Sequence, residues 1–347
     1  MSVQTGPIRL GICGAGKIVE THLAALARLN GFRVVAVSSR TLKSARALAE
    51  RFGIGQAYGD HRRVVESPEV DLVLIAVPNY QHAALSIAAL RAGKHVLVEK
   101  PLAATVGEAR EMVRAAKRAG RWLFYAEQLP LAPKSQAVAR AAQAGLIGDI
   151  YMVRQIERHA GPHSPWFFKK EFAAGGVLMD LGCHSISTVL DILPGRRVES
   201  VSAVTRQFVH RHGDVEDFAL LQMRFAGGIV GVVEDNWCHP GGMDCLTEVF
   251  GNRGSICADL KKGSGLRVYS EKGSWTDPAA GPGGWQFPQT DPLLDNGYLA
   301  QFAAVENTLR TGAPAPQTGV EGLRVMRIME AAYRSAAKDG RPVRVSL

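Results

Sequence analysis

Two short stretches of this 347-residue chain carry side chains that move protons. In Val98-Glu99-Lys100-Pro101 a lysine directly follows an apolar run and precedes a proline, which holds the backbone out of helix. An amine so placed can exchange a proton with a substrate hydroxyl, although a solvated loop lysine would look the same in isolation. In Gly175-Gly-Val-Leu-Met-Asp180-Leu-Gly-Cys-His184 an aspartate and a histidine stand four apart, on one face of a helix expected over 176–193. Their neighbours are apolar, and a carboxylate without a partner would be costly there; a pair turned toward a polar cleft resolves that cost. The plainer alternatives are a helix-capping aspartate and a satisfied core histidine.

A third stretch points to a ligand. Gly11-Ile-Cys-Gly14-Ala-Gly16-Lys17-Ile18-Val19 follows a strand and opens a helix. Without side chains at Gly14 and Gly16, backbone amides at the helix N-terminus, where Lys17 and Ile18 stand, can close on a pyrophosphate. Val19 occupies the place of the third glycine, which serves helix–strand packing rather than the ligand. The second strand ends in Ser38-Ser39-Arg40-Thr41, and no Asp or Glu lies between Glu20 and Glu50 to hold the ribose hydroxyls of NAD. Ser39 and Arg40 suit a ribose 2′-phosphate, so NADP is favoured over NAD; an Arg40 that only stacks on adenine would leave both open. Pro78, Asn79 and His82, after another strand, belong with the same ligand, because α/β sheets bind at the carboxyl ends of their strands.

These residues need a scaffold. Apolar runs over 8–13, 33–37, 71–77, 95–98 and 122–126 read as buried strands. Helical spacing over 22–29, 42–52, 82–92 and 106–119 lies between them. That repetition defines a doubly wound parallel α/β domain. The later sequence predicts strands over 151–157, 200–208, 218–225, 229–234 and 266–269, with Gly227-Gly228 as a hairpin turn and a loop over 263–284. Helices are expected over 176–193, 298–309 and 320–337, so this half is α+β with a mostly antiparallel sheet. The division expected is 1–126 and 127–347.

Composition excludes several classes. The hydrophobic fraction of 46% and charged fraction of 21% fit a folded soluble chain, and the apolar runs are too short to cross a bilayer. Lys plus Arg exceed Asp plus Glu by 41 − 32 = +9, which favours anionic ligands. The basic residues are scattered without interleaved aromatics, which argues against nucleic acid. Five cysteines without a C-x-x-C pair, and an N-terminus without a secretory pattern, point to a reducing cytoplasm.

Together, Gly14-Ala-Gly16 with His22, Pro78-Asn79 with His82, Glu99-Lys100-Pro101, Asp180-x-x-x-His184 and the C-terminal Ala331-Ala-Tyr-Arg-Ser335 resemble the Gfo/Idh/MocA oxidoreductases. The resemblance runs from about residue 8 to the end. It implies a Rossmann domain, then a domain whose large open sheet carries the substrate cleft and often a dimer interface, hence a homo-oligomer. Lys100, Asp180 and His184 match the family's catalytic positions. The implied reaction is reversible oxidation of a secondary alcohol on a sugar or cyclitol, with hydride passing to nicotinamide. His184 or Lys100 would take the hydroxyl proton, and Asp180 would orient the substrate or the base. Glu99 and Lys100 would also line the cofactor. Glu127, His163, Trp166 and Trp237 are expected to line the substrate cleft, His163 meeting a hydroxyl and Trp166 offering a stacking face. Three other readings compete: glycoside cleavage through transient oxidation, a non-catalytic dinucleotide sensor, and a metal-dependent hydrolase or lyase drawing on His159, His163, Asp180, His184 and His239.

Overall fold

The computed structural model describes residues 6–261, 265–271, 273–275, 281, 283–288 and 296–346. The chain begins with β1 (Ile8–Cys13), α1 (Lys17–Leu26), β2 (Phe32–Ser38), α2 (Leu42–Phe52), β3 (Gln56–Tyr58), α3 (Arg62–Val65), β4 (Leu72–Ile75), α4 (His82–Arg91), β5 (His95–Glu99), α5 (Val106–Ala119) and β6 (Leu123–Ala126). The six strands pair in parallel in the order β3-β2-β1-β4-β5-β6, the doubly wound arrangement. Every residue of β4 and β6 is buried, which is why these segments read as unbroken apolar runs. Helix α5 opens with a reciprocal cap in which Thr105 accepts from the Glu108 amide and the Glu108 side chain accepts from the Thr105 amide.

Two local features differ from expectation. Helix α1 starts at Lys17 rather than at residue 22, because the glycine turn feeds straight into it and Val19, Leu23 and Leu26 form its buried stripe. The elements β3 and α3 were not expected; three and four residues are too short for a periodicity to register.

The chain continues through α6 (Pro133–Gln143), β7 (Ile150–His159), α7 (Lys170–Ala173), α8 (Val177–Asp180), α9 (Gly182–Ile192), β8 (Val198–Arg206), β9 (Phe218–Phe225), β10 (Val230–Asn236), β11 (Met243–Gly251), β12 (Gly254–Asp259), β13 (Leu266–Ser270) and β14 (Gly284–Gln286). Then come α10 (Tyr298–Thr311), α11 (Gly319–Ala336) and β15 (Val343–Arg344). Nine strands form one sheet in the order β14-β13-β12-β11-β7-β10-β9-β8-β15, antiparallel throughout except where β7 meets β10. The β9–β10 hairpin turns on Gly227 and Gly228 at φ 88° and 86°, both left-handed, as the twist of a two-residue hairpin requires. Strands β11 and β12 were missed. On β11, Asp244 and Glu248 pair with Arg158 and Arg154, so its apolar alternation is diluted by charge. Of the loop expected over 263–284, residues 266–270 form β13, whereas 263–264, 272, 276–280 and 282 lie outside the described residues.

The chain divides into two compact units, one of Met1–Gln128 with Tyr298–Met326, the other of Leu129–Gly297 with Arg327–Leu347. This differs from the expected 1–126 and 127–347 chiefly in where the C-terminal helices go. Phe302 and Val305 of α10 join Ile8, Leu10, Leu23 and Leu26 in the core of the first unit, and Tyr125 N–H donates to the Gln317 carbonyl at 3.2 Å. An apolar stripe announces that a helix is covered, not which core covers it. Among the described residues no single helix is long and apolar enough to cross a membrane.

Candidate active site

The turn after β1 has the geometry of a phosphate cradle. Gly14 adopts φ 128°, and a Cβ there would lie 2.1 Å from the Ala76 carbonyl oxygen, so only glycine fits. Its amide donates to the Ser38 carbonyl at 2.8 Å, fixing the turn between β1 and β2. Gly16 precedes α1 with no side-chain cap, and a Cβ there would meet nothing within 4 Å. The uncapped amides of the first turn, where Lys17 and Ile18 stand, therefore face open space that a pyrophosphate fits. Val19 is fully buried and supplies a core side chain in place of the packing glycine.

The strand ends beside this turn bear the other expected residues. Ser39 is half-buried and Arg40 exposed just past β2. Beneath them Ser38 Oγ lies 2.9 Å from His61 Nδ1, a partner no sequence spacing announced. Pro78 is half-buried and Asn79 buried, past β4. His82 was expected to touch the cofactor, but it is fully buried: Nδ1 lies 2.8 Å from the Pro101 carbonyl and Nε2 2.9 Å from the Val77 carbonyl. Burial pushes this imidazole down from its ordinary range, the two carbonyls and Glu99 opposing it. His82 therefore ties two strand ends together rather than meeting a ligand.

Glu99 is likewise engaged within the protein. It is 6% exposed; its Oε1 accepts from His22 Nε2 at 2.5 Å, and its Oε2 accepts from the Lys100 amide at 3.2 Å. Burial alone would raise this carboxyl, but the His22 hydrogen bond, with the charges of His22, Lys100 and His82, brings it below the usual range. An ionised carboxylate thus pins the backbone of Lys100, whose side chain is half-buried at the end of β5.

In the second unit the expected continuous helix is broken. Helix α8 ends at Asp180, Leu181 departs to φ −101°, and α9 starts at Gly182. The Cys183 thiol donates to the Asp180 carbonyl at 3.3 Å, occupying an acceptor at the break. Asp180 and His184 are 9% and 6% exposed. The end of β10 holds both sides of the break. Trp237 Nε1 donates to Asp180 Oδ2 at 3.2 Å, and Ser185 Oγ, next to His184, donates to Asp235 Oδ1 at 2.6 Å. Trp237, expected to line the cleft, is only 1% exposed, and its indole nitrogen is taken up by Asp180.

His163 is exposed and Trp166 half-buried, its ring stacked on Phe167 at 3.8 Å and 23° between planes. Glu127 is fully buried just past β6. His159 Nδ1 accepts from the Gly161 amide at 2.9 Å, and His239 Nε2 lies 3.5 Å from Asp244. Among the described residues His159, His163, Asp180 and His239 enter no cluster of three metal-ligand atoms. None of the five cysteines forms a disulfide, and burial raises the Cys13 thiol to about 12.

A phosphate cradle at the head of a doubly wound sheet, with a lysine at another strand end of the same sheet, defines a dinucleotide-dependent enzyme of the oxidoreductase class. Residues 8–127 match the model of an oxidoreductase family with an NAD-binding Rossmann fold, and residues 135–257 match the GFO/IDH/MocA C-terminal domain. The chain belongs to that family. It is 26% identical over 332 residues to myo-inositol 2-dehydrogenase of Thermotoga maritima, covering 94% of this chain and 96% of that one. Among solved structures it is similar to GenD2 from gentamicin A biosynthesis in complex with NAD, at 31% identity and TM-score 0.88, covering 100% and 98% of the two chains. It is also similar to levoglucosan dehydrogenase in complex with NADH and levoglucosan, at 26% identity and TM-score 0.87, covering 98% and 99%.

Proposed function

We propose that the chain reversibly oxidises a secondary hydroxyl of a sugar, sugar derivative or cyclitol. The observation that carries this reading is the held Asp180 beside His184, on a helix break braced by Trp237 and Cys183, in a chain whose relatives act on such alcohols. When bound, the nicotinamide supplies the hydride acceptor. The chain's own residues bind, orient and move the proton. Gly14, Gly16 and the amides of Lys17 and Ile18 hold the pyrophosphate. Lys100, its backbone pinned by Glu99, or His184 takes the hydroxyl proton, and Asp180 orients the substrate or the base. His163 and Trp166 give the sugar a hydroxyl partner and an apolar face.

NADP is the favoured dinucleotide in this proposal, supported by exposed Arg40 and half-buried Ser39 where NAD enzymes place a carboxylate. The reading also includes a second copy of the chain on the open face of the nine-stranded sheet, where Val204 and Leu220 are 38% and 40% exposed; mass in solution tests it.

The deciding experiment pairs thermal midpoints with turnover on myo-inositol, levoglucosan and glucosides. A dinucleotide at about 100 times its dissociation constant adds about 2.7 kcal/mol, a shift of several degrees. NADP should shift the midpoint more than NAD, and Arg40→Ala should remove that difference. Lys100→Ala should keep the shift while turnover falls by about 100-fold or more. Unchanged turnover in that variant removes Lys100 from the chemistry.

A further inference from the structure

The Ala331-Ala-Tyr-Arg-Ser335 stretch contributes two anchors that the proposed chemistry leaves unused. Ser335 Oγ accepts from the Ala203 amide at 2.9 Å and donates to the Arg341 carbonyl at 2.7 Å, which fastens the end of α11 to β8. The Tyr333 hydroxyl donates to Glu216 Oε1 at 2.8 Å. That same oxygen accepts from the amides of Gly176 at 3.0 Å and Leu178 at 3.1 Å, while the Glu216 carbonyl accepts from Val177 N–H at 3.0 Å. Residue 216 alone thus receives three successive amides at the start of α8, the four-residue helix that ends in Asp180.

The packing there leaves no slack. A Cβ on Gly175 would lie 2.1 Å from the Tyr333 hydroxyl, and one on Gly176 would lie 1.9 Å from the Glu216 carbonyl oxygen. The next residue closes the circuit: the Asp217 carbonyl accepts from Trp237 N–H at 2.8 Å, and the Trp237 indole donates to Asp180. The Asp217 side chain is itself fixed by the amides of Phe208, Val209 and His210, each at 2.7 Å. Asp180 is therefore approached from Glu216 through the backbone of α8 and from Asp217 through Trp237.

We propose that Glu216 and Tyr333 are positioning residues that set the place of the Asp180 carboxylate from the far end of α8. The proposal rests on the assignment of Asp180 to the chemistry. It explains why a tyrosine on the last long helix matters: its hydroxyl fixes which way the Glu216 carboxylate faces. A displacement of about 1 Å far from the reacting atoms can cost about 100-fold in rate.

The test compares Tyr333→Phe, Glu216→Ala, Glu216→Gln and Asp180→Asn by turnover, dinucleotide affinity and amide hydrogen exchange over Gly175–Leu181. Tyr333→Phe should speed exchange in that segment and lower kcat about tenfold, with dinucleotide affinity unchanged; Glu216→Ala should lower it about 100-fold. Glu216→Gln keeps an oxygen for both amides and should return kcat to within about threefold of the parent. Wild-type exchange in Tyr333→Phe overturns the anchor. Faster exchange with full turnover, where Asp180→Asn is inactive, overturns the positioning role. Full turnover in Asp180→Asn overturns the catalytic reading underneath, and the exchange rates still judge the anchor on their own. Should Glu216→Ala fail to fold, Tyr333→Phe and Glu216→Gln decide.

Discussion

Each unit buries a carboxylate next to a candidate residue, and the pKa values of the two are shifted in opposite directions. Glu99 is 6% exposed, faces the His22 ring nitrogen and lies near the Lys100 charge, and its pKa falls below the usual range in spite of burial. Asp235 is 0% exposed and its Oδ1 receives the Ser185 hydroxyl, while no hydrogen-bond partner reaches its Oδ2 among the described residues. It stands opposite Glu157 in the β7–β10 register and next to Glu234. Burial, reinforced by those two carboxylates and opposed by Ser185, pushes it well above its ordinary value. Burial is common to both; the partner decides the charge. Glu99 is thus a strut under Lys100 held toward its charged form, and Asp235 a peg under the helix that carries His184, pushed toward its neutral form.

The largest expected effect falls on the charged strut. Glu99→Ala leaves His22 facing an empty pocket and frees the Lys100 amide, which should lower stability by about 3–5 kcal/mol near neutral pH. A group whose pKa is depressed by folding stabilises above its unfolded value, and that contribution is lost as pH falls through the folded value. The stability gap between parent and Glu99→Ala, followed by urea unfolding, should therefore narrow on acidification. A gap that does not change with pH would show that Glu99 is not ionised in the fold, and the contrast with Asp235 would collapse.

Much of the first unit was legible because its signals are local. Gly14-Ala-Gly16 declares its turn within three residues, and Lys100 is marked by an apolar run before it and a proline after it. The Asp180/His184 spacing assumed one continuous helix, whereas a helix break at Leu181 lies between the two residues. The residues that hold them were not legible. His22 and Glu99 are 77 positions apart, Trp237 reaches Asp180 across 57 and Tyr333 reaches Glu216 across 117, and no periodicity spans such distances. His82 misled for a related reason: a polar residue at a strand end looks the same whether its ring meets a ligand or two backbone carbonyls.

The neutral peg gives the smaller and more discriminating effect. A carboxyl whose pKa is raised by folding contributes stability that is complete below its unfolded value of about 3.9 and is lost as pH rises through the folded value. Asn cannot ionise and resembles the protonated acid in shape, so Asp235→Asn should keep the Ser185 contact and escape that loss. Between pH 5 and the folded pKa the variant should gain on the parent by up to about 1.4 kcal/mol per pH unit, then level off. The opposite slopes of Glu99→Ala and Asp235→Asn, measured on the same chain in the same buffers, separate a partner effect from a burial effect. Two parallel slopes would mean that depth alone sets the charge of both groups.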